Sequence, residues 1–503
     1  MHRLARTGAW AVFSAAALLA GSATAARAET LADAIALAYQ TNPTLQSERA
    51  QLRALNESYV QARAGYRPTA SASVEYDYSK SANTLELGFH DASATLNLTQ
   101  PLYTGGLVTA QVRAAMADIL SGREKLRETE AQVMQSVIQA YVDTRRDQQA
   151  LRIAQDNVNV LVRQQEETKA RFDVGQITRT DVAQAAARLA QAQAQLANAA
   201  AQLGISRAEY VANIGQSPGD LAAETPFDGM PATIDEAFAT ADKYNGGIRA
   251  ADYAEQGAAA RVAEAKAENR PTISLRAGVG TSAVLHEANL LRESSLGGPP
   301  QGSFDKNITA SAVFTQPLFT GGLNSSRIRQ ALEDDNTQRI AVESARRQAV
   351  LSVSQAWNQL QAAQAGITAN QKQVEADQVA FEGTRQEAQV GLRTTLDVLN
   401  AEQELNNAEL ALVNARRDHY VASAAVLNAM GRLEVRYLAV GVSPYDAEKP
   451  FKRVRNAGSL PWDYAVSTLD AIGSPHIIKA PAQGPLVTAA PIAPAQAGSP
   501  VLP

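Results

Sequence analysis

The chain carries many groups that can do chemistry and few arrangements that would let them. The adjacent carboxylates Asp334-Asp335 and Glu166-Glu167 are the kind of pair acid–base catalysis needs, but both sit among polar residues in proline-free runs, the pattern of a solvated helix face. The five histidines, His2, His90, His286, His419 and His476, never fall two to one helix face as a zinc site requires. There is no cysteine, which excludes thiol catalysis, thiolate metal sites and a disulfide framework. Neither a phosphate-cradling loop nor a nucleophile elbow is present. The reading is therefore of a non-enzyme with no metal and no cofactor. What remains is charge at two matching places: Asp181 follows the pair Val174-Gly175, and Arg393 and Asp397 follow Val390-Gly391. An arginine facing a carboxylate can tie two segments together, although exposed pairs contribute only about 0–1 kcal/mol. An acid that opens a helix also steadies its N-terminus.

The two places are related by repetition. QPLYTGG at 100–106 returns as QPLFTGG at 316–322, a shift of 216, which also carries Val174-Gly175 onto Val390-Gly391, Thr178 onto Thr394 and Asp181-Val182 onto Asp397-Val398. Upstream, Arg67-Pro68-Thr69 matches Arg270-Pro271-Thr272 at a shift of 203, so the second half holds 13 extra residues, in the Gly/Pro/Ser-rich segment 281–305 that reads as a longer surface loop. The chain divides into a leader, 1–28, a first repeat, 29–230, a second, 231–440, and a C-terminal tail, 441–503, read as largely disordered from its prolines and its Pro/Ala-rich end.

Each repeat reads as helix, two strands, long helix, turn, helix. Residues 31–65 form a helical run that Pro68 stops. Hairpins follow at 69–103 and 272–319, where apolar and polar residues alternate: Ala70, Ala72, Val74, Tyr76 and Tyr78 against Ser71, Ser73, Glu75 and Asp77, then Leu96 and Leu98 against Asn97 and Thr99. Such strands are wet on one face. Gly105-Gly106 and Gly321-Gly322 mark the strand-to-helix hinges. The runs 107–174 and 323–390 contain no proline, and at 1.5 Å per residue each gives a helix of about 100 Å. The chain then returns with Val182, Leu189, Leu196 and Leu203, and with Val398, Leu405 and Leu412, at strict sevens, the spacing of helices packed side by side.

Residues 1–28 have the basic start, apolar run and small-residue end of a secretory signal peptide. Removing Arg3, Arg6 and Arg27 takes the net charge from −5 to −8, which argues against nucleic acid as a partner. No apolar run after residue 28 is long enough for a spanning helix, so any membrane passage uses strands. Four strands cannot close a barrel, and lipid does not tolerate open edges. The fold class read from this is an α+β membrane protein: a homotrimer in which four strands per monomer make a 12-stranded β-barrel, continued by a 12-helix α-barrel.

With QPLYTGG, QPLFTGG, RFDVGQITRTDV at 171–182 and QVGLRTTLDVLNAEQEL at 389–405 in view, the chain resembles the TolC-like outer membrane factors, the outer membrane efflux protein family, over roughly residues 29–440. The resemblance implies a passive exit duct in the outer membrane of a Gram-negative cell, extending into the periplasm and serving a tripartite efflux pump or a type I secretion system. It implies as partners outer-membrane lipid, a periplasmic adaptor and an inner-membrane pump of RND or ABC type. Matched residue by residue, Val174, Gly175, Val390, Gly391, Leu392 and Thr394 fall at the adaptor-docking tip. Arg393, with Thr180 and Asp181, falls at the periplasmic gate. Asp397 falls at an acidic ring at the tunnel entrance. Ala388 stands where the family has a gate tyrosine, and Asn400 where it has a second acid. For Arg393 and Asp181 a plain exposed turn charge, and for Asp397 a plain helix cap, stay open beside these roles. The alternative for the whole chain is a periplasmic coiled-coil adaptor or a structural envelope protein, which would lack four wet-faced strands and the repeated hinges.

Overall fold

The computed structural model describes residues 28–80, 88–286, 304–439, 441–477 and 486. The expected signal peptide lies outside these residues but for its last one, as do the middle of the 281–305 loop and the end of the tail. The elements run α1 (Leu31–Thr41), α2 (Pro43–Ala64), β1 (Thr69–Lys80), β2 (Gly88–Tyr103), α3 (Leu107–Asp173), α4 (Arg179–Ile214), α5 (Ile234–Tyr244), α6 (Gly246–Ala267), β3 (Thr272–His286), β4 (Asp305–Thr315), α7 (Leu323–Gln389), α8 (Thr395–Ala429), α9 (Val435–Leu438), α10 (Glu448–Val454) and α11 (Asp463–Ile472).

The helical run 31–65 is two helices. Pro43 has no amide hydrogen and clashes with a preceding turn, so α1 ends at Thr41 and Pro43 becomes the first residue of α2. Asn42 between them is extended, and its side chain accepts from the Thr44 and Leu45 amides at 2.9 and 3.4 Å. Asn245 does the same between α5 and α6, 203 residues later, without a proline to force it.

The strands form one antiparallel sheet in the order β1-β2-β3-β4. The two hairpins are joined through β2 and β3, with Leu96 opposite Val279 and Leu98 opposite Ala277. One face carries Val74, Tyr76, Leu96, Leu98, Leu275, Val279 and Ile308, all exposed, Val74 to 84% and Ile308 to 83%. The other carries Ser73 and Thr95, whose hydroxyls share a 2.8 Å hydrogen bond, together with Asn97, Ser282 and Thr309. β1 and β4 are the two edges of this sheet.

Both long helices have 67 residues. In the strand-proximal half α2 and α6 flank α3, and α6 also meets α7. In the far half α4 packs on α3, α8 on α7, and α8 also touches α3. Two short helices thus cover the length of each long one. On the returning helices Ala185, Ala192 and Ser206 of α4 and Ala408, Ala415 and Ala422 of α8 are buried together with Leu203 and Val398 of the heptads, while Leu189, Leu196, Leu405 and Leu412 are half-buried. A methyl at the contact lets two backbones approach, and the longer side chains then splay along the flank.

The largest core cluster lies midway along the helices, where Ile35, Met134, Val137, Ile138, Tyr141, Tyr210 and Leu427 are fully or nearly fully buried. Two phenols anchor the segment before α1 there: Tyr141 donates to the Glu29 and Ala222 carbonyls at 2.8 and 2.9 Å, and Tyr210 donates to the Glu29 carboxylate at 2.7 Å.

The tail departs from the reading of 441–503 as largely disordered. Residues 441–477 cross back over α2, β2 and α3, with α10 and α11 inside them. Phe451 is buried against Tyr59, and Arg67 pairs with Asp463 at 3.3 Å. Proline and charge content hid this because the holding groups, two aspartates and one phenylalanine, look polar or isolated until their distant partners are in place.

Candidate gate and docking tip

The two Val-Gly turns are built alike. At the end of α3, the Gly175 amide donates to Phe172 O at 2.8 Å and that of Gln176 to Arg171 O at 2.9 Å; at the end of α7, Gly391 donates to Ala388 O at 3.2 Å and Leu392 to Glu387 O at 2.9 Å. Closing a helix this way needs a left-handed residue, and Gly175 and Gly391 have φ of 75° and 83°. Among the described residues nothing beyond the adjoining backbone lies within 4 Å of where a Cβ would stand on either, so the backbone angle alone requires glycine. Val174, Val390 and Leu392 are exposed.

Each turn passes into a capped helix. Thr178 and Thr394 are N-caps, and Asp181 and Asp397 complete reciprocal capping boxes. The Asp181 carboxylate accepts from the Thr178 hydroxyl at 2.7 Å and its amide at 2.9 Å, and this holds its pKa below the usual carboxylate range, the hydroxyl contributing most. Asp397 accepts from the Thr394 amide at 3.0 Å and hydroxyl at 2.8 Å; its pKa is lowered too, chiefly by the amide. Both acids therefore stay charged, and each uses one oxygen, Oδ2, for the cap.

Arg393 is exposed and bonds Glu387 at 2.9 Å across its own turn. Among the described residues no hydrogen bond or ion pair joins it to Thr180 or Asp181 within the chain. The structure brings together a contact that the sequence reading did not name. Arg188 on α4 donates to Asn400 on α8 at 2.9 Å, and Leu399 packs with Leu161 and Ala192, so the two hairpins touch near their turns. One turn further, Glu402 is buried on α8, and that burial pushes its carboxyl up to about 7 against the pull of Arg385. Leu399, Glu402 and Asn406 share one buried stripe; the signal in the sequence was that spacing, masked because two of the three are polar.

At the opposite ends of the long helices, Gly105, Gly106, Gly321 and Gly322 all have positive φ, between 63° and 86°. The first pair is enclosed: a Cβ on Gly106 would meet Ser474, and one on Gly105 would meet Arg270. Among the described residues nothing beyond the adjoining backbone lies within 4 Å of a Cβ built on either glycine of the second pair. Gly106 gives α3 no side-chain cap, and Asp470 of α11 supplies one, accepting from the amides of Thr104, Gly106 and Thr109 at 2.8–3.1 Å and from both threonine hydroxyls at 2.7 and 2.8 Å. Among the described residues no group of His, Asp or Glu side chains could hold a metal ion, and no helix is long and apolar enough to cross a membrane.

The profile of one family, described as outer membrane efflux protein, matches residues 34–216 and 240–432, each a run of helix, hairpin, long helix and returning helix. The chain belongs to the outer membrane efflux protein family. Among its relatives, outer membrane efflux protein BepC of Brucella suis is 33% identical over 447 residues, 88% of this chain and 95% of that one. Outer membrane protein TolC of Escherichia coli is 26% identical over 433 residues, 82% and 85% of the two chains. Among solved structures, the Campylobacter jejuni CmeC outer membrane channel superposes with a TM-score of 0.70 at 16% identity, covering 84% of this chain and 89% of that one, which shows the shared fold. This efflux protein is accordingly an outer-membrane exit duct that extends into the periplasm.

Proposed function

We propose that three copies of the chain close one twelve-stranded barrel, that twelve helices continue it as a tunnel, and that the duct passes cargo without chemistry of its own. The observation that carries this is the sheet: one face is apolar and exposed along its length, and its two edges are available to other strands. In lipid such edges must be paired, and a ring of three pairs β4 of one copy with β1 of the next. The polar face, with Ser73, Thr95 and Asn97, then lines water. The periplasmic-adaptor reading has no use for this sheet.

The turns are the docking tip. Val174, Val390 and Leu392 offer exposed apolar side chains, on turns set by Gly175 and Gly391 and capped by Thr394, to a periplasmic adaptor, which couples the duct to an RND or ABC pump of the inner membrane. The gate is a contact between copies: Arg393 reaches Thr180 and the second carboxylate oxygen of Asp181 on a neighbour, exchanging its Glu387 partner. Three Asp397 carboxylates around the axis draw cations to the entrance, and the four hinge glycines let strands turn into helices.

The test uses the absence of cysteine. A single cysteine at Gln176 or Leu392 is crosslinked in living cells and its partners identified by mass spectrometry. An adaptor with its pump is the expected product; a correctly inserted trimer that captures neither overturns the docking role.

A further inference from the structure

α11 is amphipathic in the unusual sense. Its inward positions are Asp463, Val466 and Asp470, two of them carboxylates that are matched by Arg67 and by the hinge amides and hydroxyls. Its outward positions are Trp462 at the cap, Tyr464, Leu469 and Ile472, all exposed, Tyr464 to 81% and Ile472 to 80%. In water the preference runs the other way.

The side of the sheet on which α11 lies decides what those residues meet. Trp462 donates its indole N–H to Gln100 Oε1 at 3.2 Å. Gln100 follows Leu96 and Leu98 at every second residue along β2, and so shares their face, and it stands opposite Leu275, so it belongs to the apolar face. Tyr103, opposite Ile273 on that same face, abuts Gly473 just past the helix. α11 therefore extends the apolar face at the end of β2 that leads into α3. Beside it, where Arg63 of α2 bonds the Arg455 carbonyl at 2.8 Å, α10 and the residue after it expose Lys449, Lys452, Arg453 and Arg455. Exposed Trp, Tyr, Leu and Ile with cations alongside are the composition of a segment lying in a headgroup region.

We propose that α11 is an interfacial anchor, seated in the periplasmic phospholipid leaflet at the foot of the barrel with the cations of 449–455 against lipid phosphates. This rests on the reading that the apolar face of the sheet meets lipid. The buried aspartates hold the helix by its polar side so that its apolar side is free for the membrane, and the same contact caps α3. Membrane seating and hinge geometry are thereby joined in one element.

The test replaces Leu469, Ile472, Ile308 and Glu343 of the full mature chain one at a time by cysteine, labels each with a nitroxide, and measures collision with oxygen and with a water-soluble nickel chelate in phospholipid bilayers. The expected result is oxygen dominance, severalfold over the chelate, at 469, 472 and the sheet position 308, with the reverse at 343 on α7. If 308 reads lipid while 469 and 472 read water, the anchor is refuted and the barrel stands. If 469 and 472 are shielded from both agents and an Ile472→Cys copy forms a disulfide with a Phe319→Cys copy, a neighbouring chain covers the helix and the anchor is again refuted. If 308 itself reads water, the barrel reading fails first.

Discussion

Glu402→Gln should remove most of the pH dependence of opening. Glu402 lies on the stripe where α8 meets the other hairpin, one turn from Leu399 and from the Arg188–Asn400 bond. Burial raises its carboxyl from 4.5 to about 7, with Arg385 opposing. If the tip opens by parting the hairpins, the group enters water and returns toward 4.5. The closed state thus binds a proton that the open state releases, and closure is favoured below about pH 4.5 and progressively loses that advantage as pH rises through about 7. At about 1.4 kcal/mol per pH unit the full difference is on the order of 3 kcal/mol. Solvent reaching part of the group screens this to roughly 2 kcal/mol, about thirty-fold in the open-to-closed ratio. Single-channel recording in planar bilayers between pH 5 and 8 reads it directly: open probability should rise with pH in the parent and stay nearly flat in the glutamine variant. Equal pH profiles for the two proteins would refute the assignment.

Asp470→Ala should cost roughly 3 kcal/mol, because it leaves buried amides and hydroxyls at the start of α3 unpaired; a lower temperature of thermal unfolding checks this, with Asp470→Asn falling between. Gly106→Ala should perturb the duct more than Gly322→Ala, since both strain a positive φ but only the first collides with Ser474; trypsin cleavage after Lys452 or Arg453 should accelerate in the first variant alone. Arg393→Ser should raise conductance by loosening the contact between copies, and unchanged single-channel conductance would count against the gate. Asp397→Ala should weaken cation selectivity, measured as a reversal potential in a salt gradient, and an anion-selective parent would dismiss the ring.

Much of the fold was legible because its boundaries are set by local chemistry. Glycine pairs at 105–106 and 321–322, the Val-Gly pairs and the Thr-x-x-Asp boxes at 178–181 and 394–397 each fix a backbone angle or satisfy a terminal amide within a few residues, so repeated motifs gave hinges, turns and helix starts. Alternation in 70–78 and 92–99 gave strands with one apolar face for the same reason, since side chains on a strand necessarily alternate. The break at Asn245-Gly246 carried a weaker signal, an asparagine whose capping role depends on the angle of the next helix.

Only the tertiary structure decided which distant groups meet. Asp470 caps a helix that begins more than 350 residues earlier, and Arg188 finds Asn400 across two hairpins. It likewise decided that Ala185, Ala192, Ala408 and Ala415 are buried while Leu189, Leu196, Leu405 and Leu412 are only half-buried, because the distance between two helix axes, and not apolarity alone, selects what fits between them. A sequence specifies the period of a helix face and the sign of a charge; the register at which two such faces pack is fixed by contacts among all of them at once. The C-terminal segment is the plainest case, since its aspartates read as solvated until the hinge that binds them is built.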